Sequence, residues 1–207
     1  MDSPSPPPSS EHAVAEVRAW VERAVIGLNL CPFAKGVQVK HLIRYVATEA
    51  TDTDALREAL VAELERLRGA DSTTLETTLL VHPWVLQAFL DYNDFLDEAD
   101  AVVEAMGLEG VIQVASFHPD YQFAGTSPDD MGNATNRAPY PTLHLIRETS
   151  IDRAVAAFPE ADAIYDTNIA TMESLGTAGW AKLRRQCRRD ADGEAPGALS
   201  QGGAGDS

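Results

Sequence analysis

Cysteine is scarce in this chain. Its 207 residues include two, Cys31 and Cys187, so no disulfide framework holds it together. Lysine is scarce as well: three Lys accompany 13 Arg, and these 16 bases face 32 acids for a net charge of −16. A nucleic-acid partner is therefore not expected, because such binding relies on Lys and Arg displacing counterions from phosphates. An anionic membrane surface is disfavoured for the same reason. Long apolar runs are missing, and none approaches the roughly 18 residues of a membrane span. The opening MDSPSPPPSSEH carries an acid at position 2 and no apolar stretch, so it does not read as a secretory signal. A reducing cytoplasm is the expected compartment.

The rest is ordinary globular material. Hydrophobic residues make up 44% of the chain, enough at this length for one sizeable core. Residues 1–10 are mostly Ser and Pro, and residues 187–207 end in GALSQGGAGDS. Neither can bury enough surface to offset ordering, so both read as disordered tails around a single domain at 11–186. Cys187, in KLRRQCRRD, then reads as an exposed bystander.

Periodicity supplies the elements. Val14, Val17, Val21, Val25 and Leu28 form a helical stripe. NLCPFAK follows as a loop, and VQVKHLIRYVA (37–47) reads as a first strand. Leu56, Leu60, Leu64 and Leu67 mark a second helix, and 77–81 a second strand. Pro83 suits the first turn of a third helix, which Gly107 or Gly110 would end. Residues 111–117 form a third strand and 142–147 a fourth. Ser150 can cap a helix that breaks at Pro159, and a last helix ends at Gly176. Two strand–helix–strand crossovers predict an α/β fold: a single domain with a four-stranded, mostly parallel sheet and one long ordered loop at 118–141. The fourth strand can run back antiparallel after that loop.

Two strands stop in the same way, at Val81-His82-Pro83 and Phe117-His118-Pro119. Proline ends strands because it cannot donate to a ladder, so the echo has a plain structural reading. Ligands also bind at the carboxyl ends of parallel strands, where both imidazoles would sit beside the long loop. His82, His118 and Cys31 are therefore the candidate catalytic residues. His82 and His118, with Cys31 or His144, are candidate metal ligands. Imidazole and thiolate suit a divalent transition metal such as iron, zinc or manganese, although no local metal signature is present. GNATNRAPYP groups polar donors, and Arg137 can clamp a carboxylate or phosphate while Asn136 orients it. The structural alternative is that the Asn residues only build turns and Arg137 pairs with Asp129 or Asp130. Lys35 adds a positive charge beside Cys31, and Tyr121 and Phe123 can wall a pocket. The CPFA stretch lacks a resolving cysteine at Ala34, which argues against thiol redox chemistry.

The stretches VRAWVERAVIGLNLCPFAK, LLVHPWVLQAFLDYNDFLDEAD, VIQVASFHPDYQFAGT and NATNRAPYPTLHLIRE resemble a bacterial family, the domain-of-unknown-function family numbered 1415. The resemblance spans about residues 14–180. It implies a cytoplasmic bacterial protein whose hallmarks include the cysteine loop, both His-Pro endings and the Asn-Arg loop. It implies no activity. Ala138 stands where the family pattern NRSPYP has Ser, which removes a hydroxyl but leaves Asn136 and Arg137 in place.

These readings combine into a first expectation: a small-molecule enzyme acting on an anionic metabolite. Two alternatives stand beside it. One is a non-catalytic module that binds such a metabolite. The other is a protein-interaction domain using the 121–141 loop. An acidic surface is compatible with either monomer or dimer.

Overall fold

The computed structural model describes residues 8–157 and 161–193. Helix α1 (Ser10–Trp20) starts where the Ser9 side chain accepts the His12 N–H, so a helix begins inside the segment read as a tail, whose residues 1–7 lie outside the described residues. It continues as a π-helical segment, Val21–Ile26. Helix α2 (Ala34–Val39) occupies residues expected to open the first strand. Strand β1 is only Ile43–Ala47, because His41 adopts a left-handed φ of 56° and breaks the run. Helix α3 (Thr53–Gly69), strand β2 (Thr77–Val81), helix α4 (Phe89–Ala105) and strand β3 (Ile112–Phe117) follow. The long loop folds into a 3₁₀ segment, Met131–Asn136, before strand β4 (Thr142–Arg147) and helix α5 (Glu148–Ala157). Helix α6 (Ala161–Ala191) closes the described chain.

The sheet order is β1-β2-β4-β3. β1 and β2 pair in parallel, while β4 pairs antiparallel with both β2 and β3. The sheet is thus mixed rather than mostly parallel. Strands β2 and β3 point the same way but are not neighbours, because the 118–141 loop returns the chain between them. Thr142 sits opposite both Val81 and Phe117, so β4 starts at the edge where the two His-Pro strands end.

Alternation on the strands feeds two cores. Leu79, Val81, Tyr45 and Phe117 face α1 and α6. Leu80, Leu143, Leu145 and Ile112 face α3 and α4. Fully buried Leu56, Leu60, Leu64 and Leu67 form the stripe that seats α3. Arg147 closes that helix by donating from Nη2 to the carbonyls of Leu67 and Ala70, at 2.5 and 2.7 Å.

The helix boundaries depart from expectation at Pro83 and Ser150. Pro83 opens a turn instead of α4, since Leu86 takes φ 58° and interrupts any helix there. Gly176, at φ 66° and ψ 173°, is non-helical and interrupts α6 where a helix end was expected, but helical backbone resumes directly after it. The helix then runs to Ala191 on a stripe of Trp180, Leu183 and Cys187. Cys187 is consequently 1% exposed and part of the core, not a surface bystander. Ser150 does not cap α5; its hydroxyl reaches the Glu76 carboxylate. Pro159 and residues 194–207 lie outside the described residues.

Candidate functional site

His82 and His118 come close together despite the strand between them. Each is fully buried, and each packs on the ring of Tyr92, at centroid distances of 5.7 and 5.1 Å. Tyr92 itself crosses the sheet edge. Its hydroxyl donates to Thr142 O and accepts the Phe117 N–H. The two imidazoles have different jobs. His82 Nδ1–H donates to Val85 O at 3.1 Å, and its Nε2 is buried without a partner among the described residues. His118 Nε2–H donates to Leu86 O at 3.2 Å, while its Nδ1 accepts the Asp120 N–H at 3.0 Å. Together they tie the 83–88 turn and the 118–121 turn to the strand ends. The His118 bond holds the carbonyl of Leu86, a residue whose left-handed backbone costs an ordinary side chain about 1–2 kcal/mol.

Burial sets the charge of these rings. Desolvation lowers His82 to about 4, and it pulls His118 below its ordinary value too. His144 lies on the opposite sheet face, against the Phe117 ring. Its Nε2–H donates to Thr77 Oγ1 at 2.7 Å, since the Thr77 proton goes to Leu145 O. Burial brings it down to about 4 as well. All three histidines are therefore neutral at pH 7.

Cys31 sits in the turn after the π-helical segment. Its N–H bonds Val25 O and its carbonyl accepts the Ala34 N–H, with neither histidine among its partners. Lys35 is exposed at the start of α2. Among the described residues, no group of three or more His, Cys, Asp or Glu side chains could hold a metal ion. The set His82 and His118 with Cys31 or His144 is thus not assembled as a ligand cage.

What does assemble at this edge is a groove of about 620 Å³. It is lined by Ala88–Asp91 at the start of α4, by Asp120, Gln122 and Pro128, and by Arg137. Arg137 is half-buried and pinned. Nε donates to Tyr121 O at 3.0 Å and Nη2 to Pro128 O at 2.8 Å. Among the described residues no carboxylate lies within 4.0 Å of it, so the expected pair with Asp129 or Asp130 does not form. Nη1 keeps no partner there.

Asn136 is spent on structure. Its Nδ2 donates to Ser116 O and its main-chain carbonyl accepts the His118 N–H, which covers the free edge of β3. Asn133 organises the loop, accepting from Phe123 N–H and Thr126 and donating to Ser127 O. Tyr121 and Phe123 stand behind the groove in a row of rings from Phe89 to exposed Tyr165, with centroid spacings of 5.3, 5.0 and 6.0 Å. The groove residues Ala88, Leu90, Asp91, Gln122 and Pro128 had no signal in the sequence. They are ordinary residues that the two His-tied turns bring together.

Fold and site together define a mixed α/β single-sheet domain with a preorganised arginine at the strand-end groove. By sequence the chain belongs to the family described as Protein of unknown function (DUF1415), whose model matches residues 12–182. No curated protein matches the chain, and no solved structure does. Among the described residues, no helix is long and apolar enough to cross a membrane.

Proposed function

We propose that this protein is a binding module for a small anionic metabolite, held in the strand-end groove by Arg137. The observation that carries this reading is the state of Arg137. It is a half-buried guanidinium fixed by two carbonyls, with no carboxylate within 4.0 Å among the described residues, in a chain of net charge −16. Desolvation, with Arg184, disfavours its charge more than Asp120 and Asp129 favour it, and a bound anion would restore the balance. The histidines that invited a catalytic reading support the walls instead: His118 has both ring nitrogens engaged, and His82 lies beneath the surface. A general base needs a ring nitrogen within reach of substrate, and neither ring lines the groove.

The test is thermal and chemical unfolding in the presence of mono- and dicarboxylates and phosphorylated metabolites. A ligand at one hundred times its Kd stabilises the folded state by about 2.7 kcal/mol. Leu90→Glu is the control. Leu90 is 73% exposed in the first turn of α4, where a carboxylate suits the helix but opposes an anion in the groove. The variant is expected to fold normally and to bind at least about fivefold more weakly, a loss of about 1 kcal/mol. Stabilisation by none of the probes, or equal binding by the variant, refutes the proposal.

A further inference from the structure

Arg137 has a second neighbourhood, on the side facing the α1–α6 core. There a small cavity opens between α1, α6 and the segment before β4. It is lined by Glu16, Trp20, Arg137, Trp180, Arg184 and Cys187, among others. Its free space is about 10 Å³, room for one water-sized atom. Trp20 is 2% exposed, and its indole Nε1–H is buried without a partner among the described residues. Such an orphan donor is costly, and in native proteins it nearly always meets an acceptor.

The surrounding charge says which kind of acceptor fits. Two guanidiniums, Arg137 and Arg184, border the cavity, and Arg184 lies close enough to disfavour the charge on Arg137, which Asp120 and Asp129 support from beyond 4.0 Å. Neither has a carboxylate within 4.0 Å among the described residues. The one carboxylate on the cavity, Glu16, is already engaged. It accepts the Tyr140 hydroxyl at 2.8 Å and lies 3.5 Å from His12 and 3.7 Å from Arg188. Arg184, without a partner among the described residues, and the free Nη1 of Arg137 stand beside an orphan N–H and form an oxyanion receptor in outline, since guanidinium matches the planar edge of a carboxylate or a phosphate.

We infer that the cavity is an oxyanion subsite. One oxygen of a carboxylate or phosphate group enters it to accept the Trp20 Nε1–H, and the remaining oxygens meet Arg137 and Arg184 at its mouth. This rests on the reading that Arg137 binds the ligand's anion, and it adds the atom that recognises it. It also gives Arg184, far along α6, a role that its exposed position alone would not suggest.

The experiment follows the three indole N–H resonances by two-dimensional ¹H–¹⁵N NMR while the full chain is titrated with acetate and, separately, with inorganic phosphate. Unfolding is measured in the same samples. Trp20→Phe assigns the Trp20 peak and keeps a ring against Phe117. Arg184→Gln is the second variant, because that exposed side chain has no hydrogen-bond or ion-pair partner among the described residues. The expected result is a saturable shift of the Trp20 peak with one or both anions, weakened about tenfold by Arg184→Gln, while Trp20→Phe weakens anion binding about tenfold as read from the unfolding curves. Acetate alone, or phosphate alone, identifies the head group. If anions stabilise the protein while the Trp20 peak stays still and Arg184→Gln binds as wild type, the subsite is wrong and the groove reading survives. If neither of these nor any of the metabolites stabilises it, both fail. A Trp20 peak that never shifts in saturating acetate or phosphate leaves a single water on the indole and overturns the inference.

Discussion

Lowering the pH from 7.5 to 5.0 should destabilise this protein through its buried histidines, and His82 permits a worked magnitude. Its ring is fully buried, and desolvation moves it from 6.5 in the open chain to about 4 in the fold. Above pH 6.5 the ring is neutral in both states and contributes no pH dependence. As the pH falls below 6.5 the unfolded chain takes up a proton that the folded chain refuses, so stability is lost until about pH 4, where the fold also protonates. The full loss is about 3 kcal/mol at 1.36 kcal/mol per pKa unit, and about 2 kcal/mol of it has accrued by pH 5. His144 and His118 are shifted in the same direction, so the wild type loses more than this in total. A difference measurement isolates the His82 share. His82→Asn keeps a donor for Val85 O but cannot titrate. It will be less stable at pH 7.5, because it gives up the Tyr92 stacking and leaves a void. Its further loss between pH 7.5 and 5.0, read from urea unfolding curves, should be smaller than the wild type's by about 2 kcal/mol. Equal losses in the two proteins would show that His82 is not held neutral, and the tie to Val85 would need another description.

Two further substitutions probe the edge and the first helix. Tyr92→Phe removes the hydroxyl that links Thr142 O and the Phe117 N–H inside the core, which should cost about 2 kcal/mol and speed hydrogen exchange at the Phe117 amide. A change under about 0.5 kcal/mol in urea unfolding would mean that β3 and β4 do not depend on this bridge. Gly27→Ala places a Cβ 2.2 Å from Arg23 O, a contact with backbone that cannot swing aside. It should destabilise by about 1–3 kcal/mol and, by circular dichroism, lower the midpoint of thermal unfolding; an unchanged midpoint would show that the π-helical turn yields freely.

The parts of this fold that were legible were the local ones. TLHLIR alternates and forms β4 over the expected residues, and the Leu56-to-Leu67 stripe forms α3, because period and burial face are set within one element. Strand order was not legible. Whether β4 lies outside β3 or between β2 and β3 depends on where a long loop sends the chain, and nothing in the loop's composition states it. The same limit governs the site. His82 and His118 could be placed at strand ends, but their partners are backbone carbonyls at Val85 and Leu86, and a carbonyl has no signature in sequence. Pro83 invited a helix there and concealed the turn that the histidines hold. Arg137 was legible as an arginine amid loop polarity, yet Trp20 and Arg184 were not, because they meet only through the packing of α1 on α6. That packing did leave one overlooked trace: Trp180, Leu183 and Cys187 continue the apolar spacing past Gly176. The charges of KLRRQCRRD made this last stretch look like a tail. One face of it is core and the other carries Arg184 to the cavity, so a charged run with an apolar residue every third or fourth position is better read as a helix with work on both sides.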